Sequence, residues 1–206
     1  MNNYIVFGIG FLAQALFSAR LVIQWLLSEK ARKVVSPTCY WQISILASYL
    51  LFVYGWLRDD FAIILGQYIS YYIYIWNLNT KNHWKELPAF IRLVLLLTPV
   101  LVIIYLLLTW GINGPRLFRN ANIPLGLLIF GSMGQIIFTF RFIYQWFYSR
   151  HKGESVFPVT FWVLSLLGSA IIVSYGIYRS DPVLILGQSA GFIAYIRNLF
   201  ILRKNK

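Results

Sequence analysis

Acidic residues are scarce in this chain. There are six Asp and Glu against eighteen Lys and Arg, with two His and one cysteine. The lone Cys39 excludes an intrachain disulfide and a cysteine-based metal site. Glu29, Asp59, Asp60, Glu86, Glu154 and Asp181 all fall between apolar runs or at their ends. No carboxylate therefore sits mid-run to relay protons or bind sodium. His83 and His151 also fall between runs. The sequence offers no nucleophile–base–acid cluster, no metal-ligand set and no Gly-rich loop before a helix, and nothing in it calls for a cofactor. Charged residues make up 12% of the chain, about half the share in a soluble domain, while apolar residues reach 59%.

What is present is membrane-like. The net charge is +12, but the basic residues sit in short segments between apolar runs and not on one water-soluble face. That pattern speaks for topology and lipid headgroups and against nucleic acid. Seven spans are expected: Tyr4 to Ser28, Thr38 to Leu57, Phe61 to Leu78, Ala89 to Trp110, Ile123 to Tyr148, Val159 to Tyr178 and Pro182 to Leu202. The start lacks a basic segment and a small-residue cleavage site, so the first run is expected to be retained. Pro37 and Pro158 suit the first turn of a helix, and Asp60 and Asp181 suit N-caps. Gly111, Asn113, Gly114 and Pro115 form a turn cluster.

One set of loops carries Lys30, Arg32, Lys33, Lys81, Lys85, Arg150, Lys152, Arg203, Lys204 and Lys206. The other carries Arg58, Arg116, Arg119 and Arg179, partly offset by acids. The positive-inside rule puts the first set in the cytoplasm, with the N-terminus outside and the C-terminus inside.

The chain also repeats itself. Laid so that Gly10 meets Gly131, the two halves align without a gap. Gln14 meets Gln135, Arg20 meets Arg141, and Gln24-Trp25 meets Gln145-Trp146. Pro37 meets Pro158, Trp41 meets Trp162, Asp60 meets Asp181, and Leu65-Gly66-Gln67 meets Leu186-Gly187-Gln188. Tyr74 meets Tyr195 and Asn77 meets Asn198. Chance matching of aliphatics does not produce paired Arg, Gln, Trp, Pro and Asn in register. Each copy holds three spans with one between them, so the copies enter the membrane from the same side as parallel repeats. The expected domains are a first three-helix bundle over 1–80, a connector over 81–121 and a second bundle over 122–206. The connector is expected to face lipid.

On a helix of about 100° per residue the matched residues form stripes. Gln14, Arg20 and Gln24 share one stripe, as do Gln135, Arg141 and Gln145. Trp41 and Trp162 fall on a second pair of stripes; Gln67, Tyr74 and Asn77, with Gln188, Tyr195 and Asn198, form a third pair. Polar groups facing hydrocarbon are costly, so the stripes should face inward and line a polar cavity. Two readings stay open at this point. The amides and serines can be packing glue. Arg20 and Arg141 can snorkel to an interface or hold an anion, for which guanidinium geometry suits phosphate. For Arg197, whose counterpart is Trp76, snorkelling is favoured. Trp25, Trp76, Trp84 and Trp146 suit an interfacial belt.

The run Gly-Gln-x-x-Phe-x-x-Arg-Phe-x-x-Gln-Trp-x-x-Ser-Arg at 134–150 resembles the lipid A biosynthesis N-terminal domain family. So do Ser-Asp-Pro-Val-Leu-Ile-Leu-Gly-Gln at 180–188 and Tyr-Ile-Arg-Asn-Leu at 195–199. Gln14 to Ser28 with Leu65 to Leu78 resembles a diverged second copy. The family is named for a domain found ahead of some lipid-A-disaccharide synthases and is related to the PQ-loop and SWEET transporter superfamily. The resemblance implies a 3+1+3 all-α layout and a bacterial inner-membrane role linked to lipopolysaccharide. Pro37 and Pro158 are each followed by a residue other than Gln, unlike the usual superfamily signature.

Two functions are expected from different classes, with an enzyme in its own right a distant third for want of a catalytic constellation. One is a transporter or flippase for a phosphate-bearing lipid or lipid-linked phosphosugar. It would use Arg20, Arg141, Gln14, Gln135, Gln24, Gln145, Gln67, Gln188, Tyr74, Tyr195, Asn77, Asn198, Trp41 and Trp162 around the substrate and Pro37 and Pro158 as hinges. The other is a non-catalytic anchor that recruits a lipid A glycosyltransferase.

Overall fold

The computed structural model describes residues 3–58, 61–109, 124–189 and 191–204. The expected cap at Asp60, the turn cluster at 111–115, Arg116 and Arg119, and the span ends at Trp110 and Ile123 lie outside these residues.

All regular elements among the described residues are helices: α1 (Asn3–Ala31), α2 (Thr38–Leu57), α3 (Phe61–Thr80), α4 (Ala89–Leu108), α5 (Leu125–Lys152), α6 (Val159–Tyr178), α7 (Pro182–Ser189) and α8 (Gly191–Lys204). Among the described residues five stretches are long and apolar enough to cross a membrane: Tyr4–Ala31, Thr38–Leu57, Ala89–Leu108, Val159–Tyr178 and Pro182–Lys204. At 1.5 Å per residue, α3 and α5 match them in length.

Helix ends differ from the expected ones in informative ways. Pro37 and Pro158 are not in the first turn; each sits one residue earlier, as the N-cap, with ψ of 151° and 163°. Their carbonyls accept the first helical bonds, from Tyr40 (3.1 Å) and Phe161 (3.0 Å). Asp181 caps α7 as expected, its Oδ1 accepting from the amides of Val183 (3.0 Å) and Leu184 (3.3 Å). The helix α5 runs past Tyr148 to Lys152 and stops at Gly153, whose φ of 73° costs a glycine nothing. Its counterpart Arg32 takes the same left-handed turn with φ 53°.

Within the first repeat α1 packs on α2 and α2 on α3. Within the second, α5 packs on α6, and α6 on α7 and α8. Across the repeats α3 meets α5, while α1 meets α7 and α8. The first helix of each copy thus lies against the third of the other. The shared core is aromatic. Trp41, Tyr74, Phe142, Phe157, Phe161, Trp162 and Tyr195 are buried together, with Phe157 stacked on Trp41 at 5.3 Å between ring centres. Trp84, expected in an interfacial belt, is also buried in this core.

The helix α4 stays outside. It buries only Pro99 and Leu106 and exposes Phe90, Leu101 and Leu108. Its attachment follows from one residue. Pro99 has no N–H, so the carbonyl of Leu95 four residues earlier loses its helical donor. The Tyr71 hydroxyl donates to that carbonyl at 2.9 Å, and Tyr72 donates to the next one, Leu96, at 3.1 Å. Tyr71→Phe should therefore lower stability by about 1–3 kcal/mol. The same change in a Pro99→Ala background should cost much less, because the alanine supplies the missing N–H. Unfolding of the four proteins in detergent checks both expectations.

A donor-rich cavity between the repeats

Arg20 and Arg141 occupy equivalent places on α1 and α5, and both are buried, at 2% and 1% exposure. That burial excludes snorkelling. Arg197 does lie near the surface, 46% exposed, in an ion pair with Glu29.

The two buried guanidinium groups are held in the same way. Arg20 Nη1 donates to Ser44 Oγ. Arg141 Nη1 donates to Ser165 Oγ at 2.8 Å and to the Tyr195 hydroxyl at 3.3 Å. Each serine in turn donates to the carbonyl four residues back, that of Tyr40 or Phe161. Aromatic faces surround the charges. Arg20 lies 4.3 Å from the Phe17 ring centre and 4.7 Å from that of Tyr40; Arg141 lies 3.4 Å from Phe138 and 4.6 Å from Phe142. Phe142 also faces Arg20, at 5.5 Å, so one ring serves both cations.

Among the described residues no carboxylate joins them. Among the described residues the ion pairs are His83–Glu86 and Arg197–Glu29. Burying an ion costs several kcal/mol, and each ring face returns about 0.5–2 kcal/mol. The Nε atoms of both arginines lack a hydrogen-bond partner. Each guanidinium thus keeps one buried N–H without a hydrogen-bond partner.

Both arginines line one cavity of ≈ 50 Å³, together with Gln14, Gln135, Gln67, Gln188, Tyr74 and Tyr195. Ser48 donates to Gln67 Oε1 at 3.0 Å, and Ser169 to Gln188 Oε1 at 3.1 Å. Each serine thus holds the oxygen end of its glutamine amide. Two guanidinium groups and four glutamine side chains therefore line one small space. It has room for a few waters and not for a lipid headgroup.

Six residues expected around the substrate lie elsewhere. Gln24 and Asn198 exchange two amide hydrogen bonds, at 2.9 and 3.0 Å. Gln145 and Asn77 do the same at 3.0 and 3.1 Å. The Gln24 and Gln145 amides also reach the carbonyls of Val35 and Val156, tying the following loops to the clasps. These clasps join the first helix of each copy to the third helix of the other, and they are fully buried. Trp41 and Trp162 are enclosed in the aromatic core and do not line the cavity.

Other lining residues were invisible to the repeat alignment. Phe142 has Leu21 as its counterpart, and Thr139 has Ser18, so neither stood out as a match. A further break in the repeat has a structural cost. Trp41 donates its indole N–H to Ser36 at 2.9 Å. The position equivalent to Ser36 holds Phe157, and the Trp162 indole N–H is left without a partner.

The clasps yield a prediction. Asn198→Leu should leave the Gln24 amide buried without its partner and cost about 1–3 kcal/mol. Adding Gln24→Leu should cost less than the two single changes summed. A double-mutant cycle on thermal unfolding in detergent measures the difference.

The sequence profile of the lipid A biosynthesis N-terminal domain matches twice, over residues 9–79 and 130–200. The lipid-A-disaccharide synthase of Chlamydia pneumoniae is 31% identical over 98% of this chain and 34% of its own length. That of Chlamydia felis is 29% identical over the same shares. The chain therefore spans about a third of the length of the curated relatives it matches. No solved structure matches it.

Proposed function

The chain belongs to the lipid A biosynthesis N-terminal domain family, and on that premise we propose that it binds a phosphate-bearing lipid or lipid-linked phosphosugar and carries it across the bacterial inner membrane. The observation that carries this reading is the arginine pair: two buried cations at equivalent positions, paired with no carboxylate among the described residues, lining one cavity. Phosphate satisfies guanidinium donors with matching geometry and neutralises both charges at once.

The proposed architecture is 3+1+3 and SWEET-like, with bundles over 1–80 and 122–206 and a connector over 81–121. The basic ends of α1 and α5 lie in the cytoplasm, the N-terminus outside and the C-terminus inside. On this reading the ≈ 50 Å³ cavity is that of a closed state. Opening parts the seams between the repeats, and the buried amide clasps close one end of that path. Pro37 and Pro158, at the entrances to α2 and α6, are the proposed hinges.

A second reading has one observation in its favour. The matching synthases extend well beyond the third that aligns here. On that reading the chain is a membrane anchor for a lipid A glycosyltransferase, and its basic loops carry the contact.

Reconstitution into liposomes separates the two. The Arg20→Gln, Arg141→Gln double variant should lose at least about tenfold in movement of a fluorescent phosphate-headed lipid between leaflets, since each arginine supplies charged hydrogen bonds worth about 1.5–3 kcal/mol. Unchanged movement in a folded double variant would rule out the transport reading. Capture of a glycosyltransferase by wild type and double variant alike would favour the anchor.

A further inference from the structure

The donor-rich cavity has a neighbour. Between α3 and α5 lies an apolar groove of ≈ 240 Å³, walled by Leu65, Ile136 and Phe140 among others. Its outer wall is strongly exposed, Ile136 at 66% and Phe140 at 49%. In a membrane that wall faces hydrocarbon. Gln135 and Thr139 line both this groove and the arginine cavity. They form a polar strip between a cationic chamber and an oily one.

On the α3 side the strip is met by Gly66, where a side chain would displace the Gln135 amide. A Cβ at Gly66 would lie 2.7 Å from Gln135 Nε2 and 3.1 Å from Thr139 Oγ1. Glycine lets α3 approach there while the amide and hydroxyl stay in place on α5. The two chambers are thus adjacent through a narrow polar seam, with opposite chemistry on its two sides.

Resting on the transport reading above, we infer that this groove holds the hydrocarbon chain of a phosphate-headed lipid whose headgroup reaches Arg20 and Arg141 through the Gln135–Thr139 strip. The ligand is then an amphiphile that enters sideways from the bilayer at the α3–α5 seam. A water-soluble phosphosugar would satisfy the arginines and leave the groove unfilled. A neutral lipid would fill the groove and leave the arginines unneutralised. Only a molecule with both parts matches two adjacent spaces that share the Gln135–Thr139 wall.

Native mass spectrometry on the detergent-purified chain tests this with three probes. These are dioleoyl phosphatidic acid, glycerol 1-phosphate as a head without a chain, and dioleoylglycerol as a chain without phosphate. Phosphatidic acid should bind at least about tenfold tighter than either other probe. Ile136→Trp, which fills the groove from its exposed side, should weaken phosphatidic acid by a similar factor while leaving the unfolding midpoint unchanged. Leu65→Trp, at an exposed groove residue on α3, provides a second block from the opposite wall. Equal affinity for glycerol 1-phosphate and the lipid would overturn the inference, as would full lipid affinity in both groove variants. If those variants bind fully while Arg20→Gln, Arg141→Gln does not, the groove alone is wrong and the anion reading stands. Loss in the groove variants with full affinity in the arginine variant sinks the anion reading, and with it a headgroup site at the arginines. No binding of phosphatidic acid by wild type overturns both.

Discussion

Two guanidinium groups enclosed without a carboxylate set the terms for what surrounds them. A charge inside a membrane protein must be solvated by the protein itself. Here the means are serine hydroxyls anchored to helix carbonyls and a ring of aromatic faces. Both devices are short-range and directional, so they require α1 against α2 and α5 against α6 in one register. The same need explains why one phenylalanine, Phe142, faces both cations from the boundary between the repeats. The charges lie within one cavity wall, and an anion placed there would answer both.

A second constraint comes from the amides. With no water in hydrocarbon, every buried polar group needs a partner within the protein. The Gln24–Asn198 and Gln145–Asn77 clasps meet that need across the repeats and carry the loops at Val35 and Val156 with them. They hold together what the arginine pair would otherwise make costly. The peripheral helix obeys the same rule: the carbonyl freed by Pro99 receives the Tyr71 hydroxyl.

The repeat is close to symmetric where these demands act and departs where they relax. Ser36 and Phe157 occupy equivalent positions, and the exchange adds a ring stacked on Trp41 while orphaning the Trp162 indole N–H. Glu29 and Arg150 are equivalent too. On one side Glu29 pairs with Arg197, and on the other Arg150 lies over Trp146, which meets Trp76 edge-on. The two seams between the repeats therefore have different chemistry at their basic ends.

Much of this was legible in the sequence. Apolar runs of bilayer length, the cap at Asp181 and the doubled motif are local or periodic signals, and they mark the helices and the repeat without reference to a neighbour. The inward face of the stripes was also readable, because lipid does not tolerate Arg, Gln or Asn. What the stripes could not reveal was how the polar groups would divide among themselves. Gln14 and Gln24 share a helix face, yet one lines the cavity and the other is locked to Asn198. Trp41 lies on a polar stripe and ends inside an aromatic core. Phe142 matters through a contact that its counterpart Leu21 cannot make. A helix face states that a side chain points inward; only the packing of a second helix, at one height along the bundle, decides whether it meets a partner or an open space.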